Sequence, residues 1–282
     1  MEIQHNIQLQ PYNSFRTGAV AKLFAQPATV AALQQILARY KSEDKLVIGK
    51  GCNLFFTRDF DGLVIKPDIS GIQVLKENDD WVEIEAGAAE DWDNFVAFCV
   101  SRGFAGVENL SLIPGTVGAA PIQNIGAYGT EVKDVITRVE AVNSVSGNRE
   151  SFTNAACGFT YRNSIFKETR RFVITSVIFR LQKKFSYVEK YADLKQELQG
   201  NPHPSLQEVR DAIIRIRTRK LPDHLKLPNA GSFFKNPVLT ELEKDELLKL
   251  LPDAPIYRFG NNSYKTSAAY LIEKAGYKGR RK

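Results

Sequence analysis

The 282-residue sequence is poor in the residues that build disulfide frameworks and thiolate metal sites. It contains three histidines and three cysteines, and Cys52, Cys99 and Cys157 are widely separated, with no Cys-x-x-Cys pair. An odd number of isolated cysteines is typical of reduced thiols. We therefore expect neither a disulfide scaffold nor a bound metal.

Long apolar runs are also missing. The longest apolar stretches, such as residues 112–122, are interrupted by Pro114, Gly115, Gly118 and Pro121, so none approaches the roughly 20 residues that cross a bilayer. The first ten residues are polar and lack the basic start and the apolar centre of a secretory signal. These absences predict a cytoplasmic protein without membrane insertion.

The charge is modest, since 38 Lys and Arg against 32 Asp and Glu give a net charge of +6. This excess suits an anionic small molecule at least as well as a nucleic acid. One predicted helix carries a basic run without the interleaved aromatic residues that bind single strands, so we expect a solvated helix face and no nucleic-acid partner. The run comprises Arg210, Arg215, Arg217, Arg219 and Lys220.

Length and periodicity indicate a globular α/β protein of about two domains. Residues 1–29 look irregular, and we place a domain boundary near Lys220. A Ser205-Leu206-Gln207-Glu208 capping box predicts a helix that runs towards Leu221. The other predicted helices are 30–40, 91–101, 241–250 and 267–274, and the predicted strands are 45–49, 62–66, 81–86, 135–143 and 172–181.

Two segments are candidates for holding a phosphate or a larger ligand. Gly49–Asn53 follows a strand and could present consecutive N–H groups to a phosphate, although a plain tight turn is equally compatible with so short a motif. It matches neither the dinucleotide Gly-x-Gly-x-x-Gly pattern nor a P-loop. Ile113–Gly129 is small, apolar and free of charge, which would let a planar ligand and its pyrophosphate approach the backbone. The alternative is a tightly packed buried loop, which would have to satisfy its own polar groups.

Two single residues are candidates for chemistry. Arg162 follows a Gly-Phe turn, and its planar guanidinium matches a carboxylate, although an isolated arginine more often makes a weak surface ion pair. Ser232 lies between Gly231 and two phenylalanines. No Gly-x-Ser-x-Gly elbow is present, and only His224 is near Ser232 in sequence, so hydrolysis is disfavoured. A capping role for Ser232 stays open.

Together these segments resemble the UDP-N-acetylenolpyruvoylglucosamine reductase family, which completes UDP-N-acetylmuramate for peptidoglycan, the polymer of the bacterial cell wall. The similarity covers nearly the whole chain. It rests on four segments in order and at comparable spacing: Ile113–Gly129, Tyr161–Lys167, Arg217–Pro222 and Asn229–Pro237. Tyr191 with Asp193 and Leu194 is similar to the tyrosine loop that marks the family's type I subgroup.

The resemblance implies an α+β fold. A two-part FAD-binding domain of the p-cresol methylhydroxylase type would occupy residues 1–219, as subdomains of about 1–70 and 71–219. A smaller C-terminal substrate-binding domain, truncated at its end, would occupy 220–282. The implied protein is a monomer that binds FAD non-covalently and uses NADPH and a UDP-sugar.

The resemblance also assigns roles to residues. Arg162 would stabilise negative charge on the substrate carboxylate, and Ser232 would donate the proton, with Lys220 as a candidate helper. Substrate-binding positions are Tyr191, Arg217, Lys220 and Asn236. Cofactor-binding positions are Gly49, Lys50, Gly51, Cys52, Asn53, Pro114, Gly115, Thr116, Gly118, Gln123, Asn124, Gly126, Ala127 and Tyr128.

The sequence departs from the family pattern in two places. Cys52 stands where the family usually has serine, and sulfur is the weaker hydrogen-bond donor. The family's catalytic glutamate, in a Leu-Glu-Pro-Glu-Val segment, would fall beyond Lys282. This second departure predicts a fragment, and the alternative function is then an inactive or non-catalytic FAD- or nucleotide-binding module. A different FAD oxidase of the same fold is a further alternative.

Overall fold

The computed structural model describes residues 3–187, 191–223 and 225–280. The chain forms two compact units, Met1–Ala230 and Gly231–Lys282.

Within the described residues, the first unit contains eleven strands and five α-helices. Its strands are β1 Gln4–Gln8, β2 Val20–Ala25, β3 Lys45–Val47, β4 Phe60–Ile65, β5 Ile72–Glu77, β6 Trp81–Gly87, β7 Gly126–Ala127, β8 Thr130–Glu131, β9 Ile136–Asn143, β10 Arg149–Thr153 and β11 Phe172–Gln182. Its helices are α1 Val30–Arg39, α2 Trp92–Ser101, α3 Ile165–Thr169, α4 Ala192–Glu197 and α5 Leu206–Lys220.

A four-stranded sheet in the order β1-β2-β4-β3 forms the start of the chain. β2 and β3 both pair parallel to β4, while β1 pairs antiparallel to β2. The prediction of an irregular opening is therefore wrong. The strand β1 is almost entirely exposed and polar, so it lacks the alternation that signals a strand, and β2 finds its parallel partner β4 only beyond an intervening helix.

Helix α1 joins this sheet to the rest of the unit. Thr29 caps it, because the Thr29 hydroxyl accepts a hydrogen bond from Ala32 N at 3.1 Å. Its buried face carries Leu33 and Leu37, which share one apolar cluster with Leu63 of β4 and Val173 of β11. The helix therefore packs residues of both sheets into one core.

A five-stranded antiparallel sheet in the order β10-β9-β11-β6-β5 forms the larger part of the unit. The middle of its central strand β11 is buried. Trp92 and Phe95 of α2 pack on Phe179 of β11, with ring centroids 4.7 to 6.1 Å apart. Trp92 also donates its indole N–H to the Leu110 carbonyl at 2.9 Å, which fixes α2 beside the segment that follows it.

The capping box at Ser205 is confirmed. The Ser205 hydroxyl accepts from Glu208 N at 3.2 Å, and the Glu208 carboxylate accepts from Ser205 N at 2.7 Å. Helix α5 then runs to Lys220. Ile213 and Ile216 on its buried face form an apolar cluster with Leu194 of α4, so the two helices support each other.

Up to residue 280, where the description of the second unit ends, this unit contains a three-stranded antiparallel sheet and two α-helices. Its elements are β12 Val238–Leu239, α6 Glu241–Leu250, β13 Ile256–Arg258, β14 Tyr264–Thr266 and α7 Ala268–Lys274, with the strands in the order β12-β14-β13. Both predicted helices are present at their expected positions. Among the described residues of the chain, no helix has both the length and the apolar character needed to cross a membrane.

Candidate functional site

The Gly49–Asn53 turn follows β3 and packs tightly against the N-terminal segment. Gly51 has φ +65°, and a Cβ there would lie 2.0 Å from the Tyr12 carbonyl oxygen. Its own carbonyl accepts a hydrogen bond from Ser14 N at 3.2 Å. Only glycine satisfies both the conformation and the close approach, so the turn has a fixed backbone shape.

This turn adjoins the small-residue loop. Asn53 Nδ2 donates to Gln123 Oε1 at 3.3 Å, and a Cβ at Gly49 would lie 2.9 Å from Thr116 Oγ1. Two segments separated by about sixty residues in the sequence therefore meet at one surface. The five residues of the turn and the start of the loop are brought together as one candidate site.

The loop satisfies its polar groups through backbone bonds to the junction of β6 and α2. Val117 N donates to Glu90 O at 2.9 Å, Gly118 N donates to Ala88 O at 3.0 Å, and Gly115 O accepts from Trp92 N at 3.2 Å. Gly118 touches Ala88 so closely that a Cβ would lie 2.6 Å away. Gly115, by contrast, has φ +144° and open space where a Cβ would lie, which leaves room beside its backbone.

Two side chains of the turn have defined surroundings. Lys50 forms an ion pair with Asp91, the residue that caps α2. The Cys52 thiol lies 3.8 Å from the Lys50 carbonyl, and burial raises the pKa of this thiol above its ordinary value, although the Lys50 charge opposes the shift. Cys52 is therefore a neutral thiol near pH 7.

Arg162 is held against the loop. It lies in a tight turn closed by hydrogen bonds between Thr160 and Asn163, with φ +54°. Its Nη1 donates to Asn124 O at 3.0 Å and its Nη2 donates to Gly126 O at 2.5 Å. The guanidinium is thus fixed at the same loop that meets the Gly49–Asn53 turn. Glu131, 3.6 Å from Arg162 Nη1, belongs to this arrangement, and no sequence motif had indicated it.

The rest of the Tyr161–Lys167 motif strengthens the attachment. Ser164 is fully buried and donates its hydroxyl to the Ile122 carbonyl at 2.7 Å. Lys167 Nζ donates to the Arg162 carbonyl at 3.2 Å. These hydrogen bonds therefore fix the position of Arg162 relative to the loop.

The predicted substrate-binding residues of the first unit gather around Tyr128. The ring of Tyr191 lies edge-on to Tyr128, with centroids 6.0 Å apart. Burial raises the pKa of the Tyr128 hydroxyl, and the nearby charges of Arg217 and Lys220 act against this rise. Lys220 forms an ion pair with Asp193. The surface around Tyr128 is thus both aromatic and cationic.

A partly buried ion pair that no sequence motif indicated supports this region. Arg210 of α5 donates two hydrogen bonds to the Asp93 carboxylate of α2, at 2.7 and 2.9 Å. Asp93 also accepts from Leu112 N at 2.5 Å, and the Leu112 carbonyl accepts from Arg217 Nε at 3.3 Å. Burial alone would raise the pKa of Asp93, but these hydrogen bonds outweigh it and lower the pKa below the ordinary value. The prediction that the basic run is a solvated face therefore fails at Arg210, which is buried.

The second unit carries Ser232 and Asn236. Ser232 is exposed and follows Gly231, which has φ +56°. Asn236 is half-buried, and its Oδ1 accepts a hydrogen bond from Ala268 N at the start of α7. This bond fixes the orientation of the Asn236 amide. His224, the only histidine near Ser232 in sequence, lies outside the described residues.

Comparison with known proteins gives matches at both ends of the chain. Residues 21–151 match the FAD binding domain family, and residues 223–282 match the C-terminal domain of UDP-N-acetylenolpyruvoylglucosamine reductase. The chain is 44% identical to the UDP-N-acetylenolpyruvoylglucosamine reductase of Flavobacterium johnsoniae, across all of this chain and 85% of that protein. The chain belongs to the UDP-N-acetylenolpyruvoylglucosamine reductase family.

Other members of the reductase family are also similar to this chain. The protein of that name from Amoebophilus asiaticus is 42% identical over all of this chain and 85% of its own length, and that from Burkholderia cenocepacia is 45% identical over 96% and 80%. The crystal structure of the reductase from Thermus caldophilus covers all of this chain and 82% of its own, with a TM-score of 0.66 and 23% identity. This likeness supports the two-part FAD-binding fold.

The residues of the first unit fit FAD. The Gly49–Asn53 turn and the loop at Gly115 and Thr116 offer a shared glycine-rich surface with open space beside Gly115. The Ser14 hydroxyl, next to Gly51, is buried and has no hydrogen-bond partner among the described residues. A buried hydroxyl without a partner is costly, and a phosphate oxygen would satisfy it. This part of the chain is therefore suited to a dinucleotide diphosphate.

Proposed function

We propose that this protein reduces UDP-N-acetylglucosamine enolpyruvate to UDP-N-acetylmuramate, with FAD as cofactor and NADPH as hydride donor. The observation that carries the proposal is the position of Arg162. Its guanidinium is fixed by two loop carbonyls at 3.0 and 2.5 Å, and the same loop forms one surface with the glycine turn suited to FAD. This arrangement supports the assignment of Arg162 as a carboxylate-binding group beside the proposed cofactor surface.

Bound FAD supplies reversible hydride storage between two ligands that need not meet. The residues proposed to hold it are the Gly49–Asn53 turn, including Lys50 and Cys52, and positions Pro114, Gly115, Thr116, Gly118, Gln123, Asn124, Gly126, Ala127 and Tyr128. The adjoining contacts between Gly49 and Thr116 and between Asn53 and Gln123 support this assignment.

Arg162 binds the carboxylate of the enolpyruvyl group. Reduction of that group places negative charge on the carboxylate, and a preorganised guanidinium stabilises this charge without reorganisation at the moment of reaction. The two carbonyl bonds hold Arg162 before substrate arrives, and we assign the other N–H groups of its guanidinium to the substrate carboxylate. We assign to Ser232 the donation of its hydroxyl proton to the substrate carbon that bears the carboxylate.

Tyr191, Arg217 and Lys220 bind the nucleotide part of the substrate. An aromatic ring stacks on a base and cations neutralise a diphosphate, so the group around Tyr128 has the chemistry that a uridine diphosphate needs. Asn236 contributes its NH₂ group. We propose that residues 1–219 form the FAD-binding region, which also contributes Arg162, Tyr191 and Arg217 to the substrate, and that residues 220–282 form the substrate-binding domain. We further propose that the enzyme is a cytoplasmic monomer.

The test is anaerobic. The purified protein is loaded with FAD and reduced with NADPH, and UDP-N-acetylglucosamine enolpyruvate is then added while flavin absorbance is followed. We expect bleaching with NADPH and rapid recovery on addition of the substrate, with UDP-N-acetylmuramate identified by mass spectrometry. A protein whose reduced flavin recovers only when oxygen is admitted would contradict the proposed reductase. Light scattering of the same sample measures the oligomeric state and tests the proposal of a monomer.

A further inference from the structure

The surroundings of Arg162 form a socket of three other polar residues, Asn124, Glu131 and Lys133. Arg162 Nη1 lies 3.6 Å from Glu131 Oε1. The other carboxylate oxygen, Oε2, accepts from Asn124 Nδ2 at 3.0 Å and lies 2.9 Å from Lys133 Nζ. The Glu131 carboxylate therefore lies between the cations Arg162 and Lys133, and it is bonded to Asn124 of the loop.

Asn124 connects the members of this socket. It is fully buried and has φ +44°. Both N–H groups of its amide are used, one for Glu131 and one for the Thr160 carbonyl at 3.1 Å, and its Oδ1 accepts from Lys133 N at 3.1 Å. Its own carbonyl accepts from Arg162. The Asn124 side chain thus helps to fix the position of Arg162, and any contact of Asn124 with FAD falls to its backbone.

The socket is closely packed. A Cβ at Gly126 would lie 2.9 Å from Arg162 Nη1 and 3.0 Å from Glu131 Cγ. Glu131 is shared between Arg162 and Lys133, so the net charge of the three side chains is +1. The carboxylate can therefore orient the guanidinium without cancelling the charge that a substrate carboxylate would need.

We propose that Glu131 is a positioning residue for Arg162: it fixes the guanidinium in the geometry that stabilises the developing negative charge on the substrate. This inference rests on the proposed function. Glu131 also contacts Asn124 and Lys133 and caps the turn at Val132–Asp134, but its effect on the substrate is exerted through Arg162. Its removal should therefore affect the step in which the substrate is reduced and leave the reduction of FAD by NADPH unchanged.

The test measures the two half-reactions of Glu131→Gln separately by stopped flow. We expect reoxidation of the reduced flavin by substrate to slow about 10- to 100-fold, because a misplacement of ~1 Å can cost about 100-fold in rate. Reduction by NADPH should stay within about twofold of wild type. The matched control is Glu140→Gln, which breaks another glutamate–arginine pair, to Arg138 at 2.7 Å, and should change neither rate.

A double-mutant cycle separates positioning from general support. In an Arg162→Lys background, Glu131→Gln should cost less than about threefold in the reoxidation rate, because the residue through which Glu131 acts is already gone. Additive effects in the cycle, or equal slowing of both half-reactions, would overturn the proposal.

A readout independent of turnover keeps the two proposals distinguishable. The side-chain N–H signals of Arg162 are assigned by ¹⁵N NMR through their loss in Arg162→Lys. In the FAD-loaded wild type they should be sharp, and in Glu131→Gln they should broaden through faster exchange with water. An inactive wild type with these sharp signals would count against the proposed reaction and for the socket, whereas unchanged signals in Glu131→Gln would overturn the socket itself.

Discussion

Two residues near the proposed FAD surface, Ser14 and Arg162, carry local free-energy costs. Ser14 has a buried hydroxyl that finds no partner within the part of the chain that the structure describes, and Arg162 has a left-handed backbone conformation that costs of order 1 kcal/mol for a non-glycine residue. Such local costs persist when the residue does something else for the protein. At Ser14 this leads to a prediction about FAD affinity.

Ser14→Ala should weaken FAD binding about 10-fold, because a hydrogen bond to a charged phosphate is worth roughly 1.5–3 kcal/mol. In the FAD-free protein the same change should not lower the free energy of unfolding, since it removes an unsatisfied buried hydroxyl. FAD fluorescence titration and urea unfolding measure the two effects. Ser101→Ala, which removes a surface hydroxyl bonded to the Phe98 carbonyl, should leave FAD affinity unchanged. Equal affinity of the Ser14 variant and wild type would remove Ser14 from the site.

The three cysteines should differ in reactivity. Burial raises the pKa of Cys52, raises that of Cys157 to about 12 and raises that of Cys99 further. A raised pKa means less thiolate at a given pH, so alkylation of native protein should be slow at pH 7 and increase only above about pH 9. Iodoacetamide labelling from pH 7 to 10, read by mass spectrometry, should modify Cys52 first and the other two only in urea. Rapid labelling of Cys52 at pH 7 would contradict this order.

At the scale of elements, α2 and α5 are joined to the small-residue loop by one carboxylate. Asp93 accepts both hydrogen bonds from Arg210 and one from Leu112 N. Removing one partner of a buried pair leaves the other charge without compensation, which costs more than the pair itself contributes. The loop that carries Gly115 is therefore sensitive to a residue outside it.

Asp93→Asn should lower the free energy of unfolding by about 3 kcal/mol at pH 7. Because the folded pKa of Asp93 is below its unfolded value, this contribution is complete above about pH 4 and disappears as pH falls through the folded value. The deficit of the variant should therefore shrink towards pH 2. Urea unfolding at pH 7 and at acid pH measures this difference in unfolding free energy. The control is Asp80→Asn, which breaks an exposed pair with Lys184 and should have no measurable effect. A deficit that is constant with pH would contradict the assignment.

Elements whose signals are local could be predicted from the sequence, and those set by distant partners could not. The Ser205 capping box places its signal within four residues, so α5 was found with its correct start. Strand β1 has no apolar alternation, and the Asp93–Arg210 pair joins residues 117 positions apart. Glu131 was missed for a similar reason, because its role depends on a turn at Arg162 that the sequence does not place beside it.

For the whole molecule, ligand binding should raise stability in a way that identifies the cofactor. FAD at 100 times its Kd should add about 2.7 kcal/mol to the free energy of unfolding, which corresponds to an increase in Tm of about 5–10 °C for a unit of this size. Calorimetry of the flavin-free protein with added FAD measures the shift. Riboflavin, which lacks the diphosphate, should produce a much smaller one. An equal shift with riboflavin would show that the Gly49–Asn53 turn does not bind a diphosphate.

The strand order of the larger sheet also determines when that sheet can be completed during synthesis. The central strand β11 lies between β6 and β9 in the sheet but is the last of the five to leave the ribosome. The edges of the β5–β6 and β9–β10 hairpins that pair with β11 therefore stay unpaired until β11 is synthesised. At 5–20 residues per second, this interval is roughly ten seconds for β6. The first sheet, complete by β4, does not share this delay. A nascent chain paused before β11 is thus the stage at which this protein is most exposed to aggregation and most dependent on chaperones.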